Sequence, residues 1–180
     1  EVKVYPYART AEEIIADYAS RGSSQGVSAT LSTDKSNSDN LSEGLVGYWK
    51  MDESSWSGDC ATTDVADSSE NDNDGAACGD ATPEAGKFGN SANTDGSGDR
   101  ISIADDSIHE PSNVTISAWV KWNGISDDWI IEKHTATPTE YNYGYLIRSD
   151  SPSDTVRCRL GNGSANTDIS TTITTNTWYH

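Results

Sequence analysis

Glu70, Asp72 and Asp74, followed by Gly75, stand at the spacing of positions 1, 3, 5 and 6 of a twelve-residue calcium loop. Position 12 of that pattern is Ala81, which brings no carboxylate, and the flanking segments alternate like strands instead of repeating like helices. An EF-hand is therefore excluded. What remains is a tight turn bearing the oxygen donors Asp67, Asn71, Asn73 and Asp74, a set that a hard cation such as calcium accepts. The same turn has a plainer reading in which Asp67 caps local backbone N–H groups. Asp95 and Asp99 flank a Gly-Ser-Gly turn and form a second, weaker pair of candidate ligands; residues so placed more often shape a hairpin.

Aromatic side chains offer the other chemistry. Trp56, Trp129, Tyr141 and Tyr143 lie in or beside loops, where binding residues concentrate and where a ring can stack on a sugar. Trp49, Trp119, Trp122 and Trp178 lie within strand patterns and read as packing residues. Catalysis finds no support. A glycoside hydrolase sets two carboxylates across the scissile bond. Here Asp52 and Glu53 are adjacent and would point to opposite faces of a strand, while Glu132 stands alone between Ile131 and Lys133. His109, His134 and His180 are isolated, without zinc-ligand spacing. The chain reads as a non-enzyme.

Three cysteines are present. Cys60 and Cys78 bracket an Asp-rich loop, either as a disulfide, which would require an oxidising compartment, or as two semi-buried thiols; Cys158 lies in the strand pattern V-R-C-R-L. The net charge of −17 over 180 residues repels nucleic acid and anionic membrane surfaces. No apolar run is long enough to span a bilayer.

The elements that must position these residues are mostly strands. Asn113–Trp122 alternates cleanly, with Val114, Ile116, Ala118 and Val120 on one face, and is expected to be a central strand. Val2–Tyr7 reads as a short strand, with Pro6 placing its end at an edge. One helix follows: Thr10 and Glu13 make a capping box, Ile14, Ile15 and Tyr18 an apolar face, and Gly22 a stop. Residues 23–43 read as a Ser/Asn/Asp-rich linker with a weak strand pattern at Val27–Leu31. Further strands are expected at Leu45–Asp52, Ala76–Cys78, Lys87–Ala92, Arg100–Ile103 (pairing back across the Asp95–Asp99 turn onto the strand before it), Trp129–Lys133, Tyr143–Arg148, Thr155–Leu160, Thr171–Ile173 and from Trp178. Asn162-Gly163 is a hairpin signal. The fold class is all-β, an antiparallel β-sandwich or jelly roll with one short N-terminal helix.

Several motifs occur in one order: G-L-V-G-Y-W-K-M-D-E, V-A-D-S-S-E-N-D-N-D-G, A-G-K-F-G-N-S-A, D-G-S-G-D-R-I-S-I, V-T-I-S-A-W-V-K and T-N-T-W-Y-H. Together, over residues 44–180, they resemble the LamG-like jelly-roll domains of the concanavalin A-like lectin/glucanase superfamily. Residues 1–22 resemble the closing strand and helix of a preceding repeat of the same kind. The resemblance implies a domain at 44–180 lacking its last strands, neighbouring LamG-like repeats, and a fold-back in which residues 2–7 complete that domain. It also implies a structural calcium near the acidic turn. The function it implies is extracellular or cell-surface recognition of a glycan or a surface protein, with a purely structural spacer as the alternative.

Overall fold

The computed structural model describes residues 1–20, 44–124, 129–134, 144–150, 154–161 and 164–180. The expected weak strand at Val27–Leu31, the stop at Gly22, the Asn162-Gly163 turn and the residues Tyr141 and Tyr143 lie outside them. The chain is mostly β, with one helix and several antiparallel sheets, as in a concanavalin A-like β-sandwich. It divides into two compact units, residues 1–118 with His180 and residues 119–179.

The first unit contains strands β1 (Val2–Tyr5), β2 (Gly47–Trp49), β3 (Gly75–Cys78), β4 (Thr82–Ala85), β5 (Asn90–Asn93), β6 (Arg100–Ile103) and β7 (Thr115–Ala118), and the helix α1 (Ala11–Ser20). β1 takes the middle of a three-stranded sheet. It pairs antiparallel with β2 (Val2 with Trp49, Val4 with Gly47) and with β7 (Val2 with Ala118, Tyr5 with Thr115). The expected fold-back of the N-terminal strand onto the later chain is thus met in its register. Two expectations are corrected by it. Pro6 does not set the end of the strand at an edge: the strand stops at Tyr5, which pairs with Thr115, so the missing proline donor interrupts no ladder. Nor is Asn113–Trp122 a single central strand. It breaks at Trp119 into β7, at the side of this sheet, and a second short strand in the other unit.

The core of the first unit joins Val4, Val46, Trp49, Met51, Val65 and Ala77, with Val2, Ile101, Ile103 and Ile116 packed against it. Trp49 folds its indole back over Gly47. A Cβ at Gly47 would lie 2.1 Å from the Trp49 ring, so only glycine fits two residues before it on the same face. β3 pairs with β6, Gly75 opposite Ile103 and Cys78 opposite Arg100, and β4 pairs with β5. The expected Lys87–Ala92 strand and its pairing with Arg100–Ile103 are corrected here. Gly89, at φ +60°, turns the chain so that the strand starts at Asn90 and runs back along Thr82–Ala85. β4 escaped notice because it contains Pro83.

Helix α1 keeps its capping box: Thr10 N donates to Glu13 Oε2 at 2.7 Å, and Glu13 N donates to Thr10 Oγ1 at 3.3 Å. Its orientation is the reverse of the expected one. Ile14, Ile15 and Tyr18 are exposed, and Asp17 is buried. Lys3 and Arg9 are themselves buried and draw the carboxylate inward (Lys3 Nζ 2.6 Å, Arg9 Nη1 3.1 Å), which outweighs apolar periodicity because a buried cation needs a partner.

The second unit contains β8 (Val120–Lys121), β9 (Trp129–His134), β10 (Gly144–Asp150), β11 (Thr155–Gly161), β12 (Asn166–Thr172) and β13 (Trp178–Tyr179). β8 pairs with β13, and Lys121 Nζ sits 5.2 Å from the Trp178 ring. β9 to β12 form a four-stranded antiparallel sheet in the order β12-β11-β10-β9. Among the described residues of this unit, Trp122, Tyr145, Ser149 and Ile173 are buried.

Candidate functional site

The register of the four-stranded sheet sorts its side chains. Ile131, Ile147, Cys158 and Ile169 form one row across it, with Lys133, Tyr145, Leu160 and Thr167 in a second. These share a face, since directly paired residues project to the same side. The opposite face carries Glu132, Leu146, Arg159 and Asp168 in one row.

Trp129 has the parity of Ile131 and Lys133, so a regular strand would put it on their face. The ladder does not stay regular. Between Ile147 and Arg148 the register slips by one residue, so that Trp129 pairs with Arg148 and Ile130 is the extra residue. The bulge re-aims Trp129 to the face of Glu132 and Leu146. There it meets the Arg148 guanidinium, whose Cζ lies 5.5 Å from the ring centroid, and the indole keeps 51 % of its surface exposed. The resulting row is Trp129, Arg148, Arg157 and Ser170.

Three arginines thus stand on one face of one sheet, in a chain with only 12 basic residues against 29 acidic ones. Asp168 organises them. Its two oxygens accept from Arg159 Nε at 2.7 Å and Arg159 Nη2 at 2.8 Å, a planar fork on a carboxylate, and Arg157 Nη1 lies 4.0 Å from the second oxygen. The hydrogen bonds from Arg159, with the charges of Arg159, Arg157 and Arg148, hold the Asp168 carboxyl below its usual range. On the other face, burial and then the Asp168 charge push the Cys158 thiol up, which leaves it a poor nucleophile.

In the first unit, the acidic turn is built around Asp67. One carboxylate oxygen accepts from Tyr48 N at 2.8 Å and Ser69 N at 2.9 Å; the other accepts from Ser69 Oγ at 2.7 Å and Asn73 N at 3.1 Å. Asp74 Oδ1 accepts from Asp67 N at 2.8 Å. Asn71 and Asn73 donate through Nδ2 to the carbonyls of Leu45 and Val46. Asp67 therefore ties the turn to β2. The side-chain oxygens left to a cation are those of Asn71, Asn73 and the second oxygen of Asp74, fewer than the six to eight that calcium takes. Among the described residues no three of His, Cys, Asp and Glu converge as a metal set.

Asp99 accepts from Asp80 N at 2.6 Å and Asp95 N at 2.9 Å, and Asp95 from Ser97 N at 2.8 Å; both shape the hairpin. The backbone bond from Asp95 is the main reason the Asp99 carboxyl sits low. Cys60 and Cys78 are joined as a disulfide. Beside it Asp59 accepts from Ala61 N, Thr62 N and Thr62 Oγ1, which holds its carboxyl well below the carboxylate range, the Thr62 backbone bond leading. Trp56 is half-buried, packs against the core and donates Nε1 to Glu53 at 3.2 Å. Of the loop aromatics named from sequence, Trp129 alone among the described residues stands on the arginine face. The arginines and Asp168 were not singled out there; the alternation in V-R-C-R-L, which puts Arg157 and Arg159 on one side, was the available signal.

Neither the curated proteins nor the solved structures give a match to this chain. Among the described residues no helix is long and apolar enough to cross a membrane. Residues 95–180, which hold every strand of the arginine–tryptophan face, match the Laminin_G_3 family model of the concanavalin A-like lectin/glucanases superfamily.

Proposed function

We propose that this protein is a non-catalytic recognition module that binds carbohydrate on the Trp129 face of the β9–β12 sheet, outside the cell. One observation carries the reading: a register slip turns Trp129 away from the apolar face and leaves its indole half-exposed beside Arg148. An indole placed so supplies a flat apolar surface for a sugar ring at little entropic cost. The family match supports it, since concanavalin A-like domains include many binding modules. The Cys60–Cys78 disulfide supports an oxidising compartment. A non-catalytic role is supported by the use made of Asp52 and Glu53: Asp52 accepts from Asn90 N, and Glu53 from Ala66 N and the Trp56 indole.

Calcium enters this reading at the acidic turn, through Asn71, Asn73 and Asp74 with further oxygens from backbone or water. A melting midpoint higher in calcium than in chelator, with the difference lost in Asp74→Ala, is the expected result. For the recognition reading, the test is calorimetric titration of the full chain with a panel of neutral and acidic oligosaccharides. Binding that disappears in Trp129→Ala supports it. Silence across the panel favours a structural spacer.

A further inference from the structure

We propose that the ligand of this face is an acidic sugar, with its ring on Trp129 and its carboxylate on the guanidiniums of Arg148 and Arg157. The proposal rests on the carbohydrate reading above and adds the chemical class. Trp129, Arg148 and Arg157 are successive members of one cross-strand row. Neighbouring strands are about 4.8 Å apart, so an aromatic platform and two planar cations lie within about 10 Å along one line. That is the reach of a single pyranose ring and its carboxylate substituent.

Arg148 has two parts to play. Its guanidinium lies over the Trp129 ring and fixes the indole, and it carries charge to the edge of the stacking surface. The sheet itself shows what such guanidiniums hold. Arg159 takes the Asp168 carboxylate in a two-pronged grip, one row away from Arg148 and Arg157. Asp168 also reaches toward Arg157, at 4.0 Å, and so keeps that side chain near the surface of the sheet. The planar fork takes a carboxylate through two parallel bonds, and the sheet already uses it so at Asp168. The bulge is a separate observation that points the same way. It leaves an extra residue in the ladder, and its effect is to bring the aromatic ring to the arginine side.

The net charge of −17 sharpens the expectation. A long polyanion is repelled by the molecule as a whole, but that field is screened beyond about 8 Å at physiological salt. Recognition is therefore of one or two acidic residues at short range.

The test is calorimetric titration of the full chain with uronate tetrasaccharides of two linkages (galacturonan and hyaluronan), each beside its methyl ester, and with a sulfated tetrasaccharide. The acid is expected to bind at least tenfold tighter than its ester. Arg157→Gln should remove that preference, bringing the acid down to the level of its ester, and Trp129→Ala should abolish binding of both. Arg157→Lys, which keeps charge and loses the fork, should retain only part of the preference. Thermal melts of each variant check folding; if Arg157→Gln does not fold, Arg157→Lys and Arg148→Gln carry the test. Equal binding of acid and ester overturns the proposal and leaves the carbohydrate reading standing. Tighter binding of the sulfated sugar, or a preference that survives Arg157→Gln, overturns it as well. Binding of none of these sugars overturns it too, and the carbohydrate reading is then decided by the neutral members of the wider panel.

Discussion

The ammonium of Lys3 in β1 lies 2.6 Å from the carboxylate of Asp17 in α1, and the same carboxylate receives Arg9 at 3.1 Å. The helix is held to the sheet by a buried charge, with 3 % of Asp17 exposed, while Ile15 on its outer side is 64 % exposed. Arg9 adds a bond from Nη2 to the Glu13 carbonyl and one from its backbone N to Thr115 Oγ1, so the strand, the helix and β7 share one polar network. Removing one partner of such a network leaves the others buried and uncompensated.

Asp17→Ala is therefore expected to destabilise the first unit by about 3–5 kcal/mol. Urea unfolding checks the loss, and hydrogen exchange at the amides of α1 should rise with it. Ile15→Ala, on the outer side of the same helix, should change stability by less than about 0.5 kcal/mol.

Asp67 holds the acidic turn through four donors, three of them backbone or hydroxyl groups brought from within the turn and one, Tyr48 N, from β2. Loss of the carboxylate orphans these donors together. Asp67→Ala is expected to cost about 3 kcal/mol, and Asp67→Asn less, since the amide keeps one acceptor. Urea midpoints for the two variants, measured in chelator, read this contribution without any bound metal. Equal, negligible losses would show that the turn does not depend on Asp67.

The Cys60–Cys78 bond closes a loop with a sequence separation of 18. In the chain-entropy account such a closure stabilises by about 3 kcal/mol. Cys60→Ser with Cys78→Ser should lower the unfolding free energy by that order. Cys158→Ser should leave the response to reductant unchanged, because Cys158 is the free thiol.

The parts legible in sequence were those that local chemistry decides. The capping box of α1 needs only Thr10 and Glu13 three residues apart. The strand alternation of V-R-C-R-L fixes the sides of Arg157, Cys158 and Arg159 whatever pairs with them. What stayed hidden depended on partners distant in the chain. Asp17 turns inward because Lys3 and Arg9 are buried, which no helical periodicity reports. β6 pairs with β3 instead of the strand just before it, a choice made by core packing of Ile101 and Ile103. The outward turn of Trp129 depends on one extra residue in the ladder, and parity within Trp129–Lys133 points the other way. The candidate site was thus half visible: its tryptophan was named, but the face it joins was not.

Tyr5 gives the pH prediction. Burial, and next the Asp17 charge, push its phenol up to about 12 from the ordinary value of 10, against the smaller opposing pull of Arg9, whose guanidinium lies 4.5 Å from the ring. The folded state thus keeps the proton more tightly than the unfolded chain does. Tyr5 contributes stability that is complete below pH 10 and lost as the pH rises from about 10 to about 12, because the unfolded chain gains by ionising over that window. Lysines also titrate there, so the comparison is with Tyr5→Phe. The urea midpoint of the wild-type chain should fall more steeply than that of Tyr5→Phe across the window, with parallel curves below pH 9. Parallel curves throughout would mean that the phenol ionises as freely in the folded protein as in the unfolded chain.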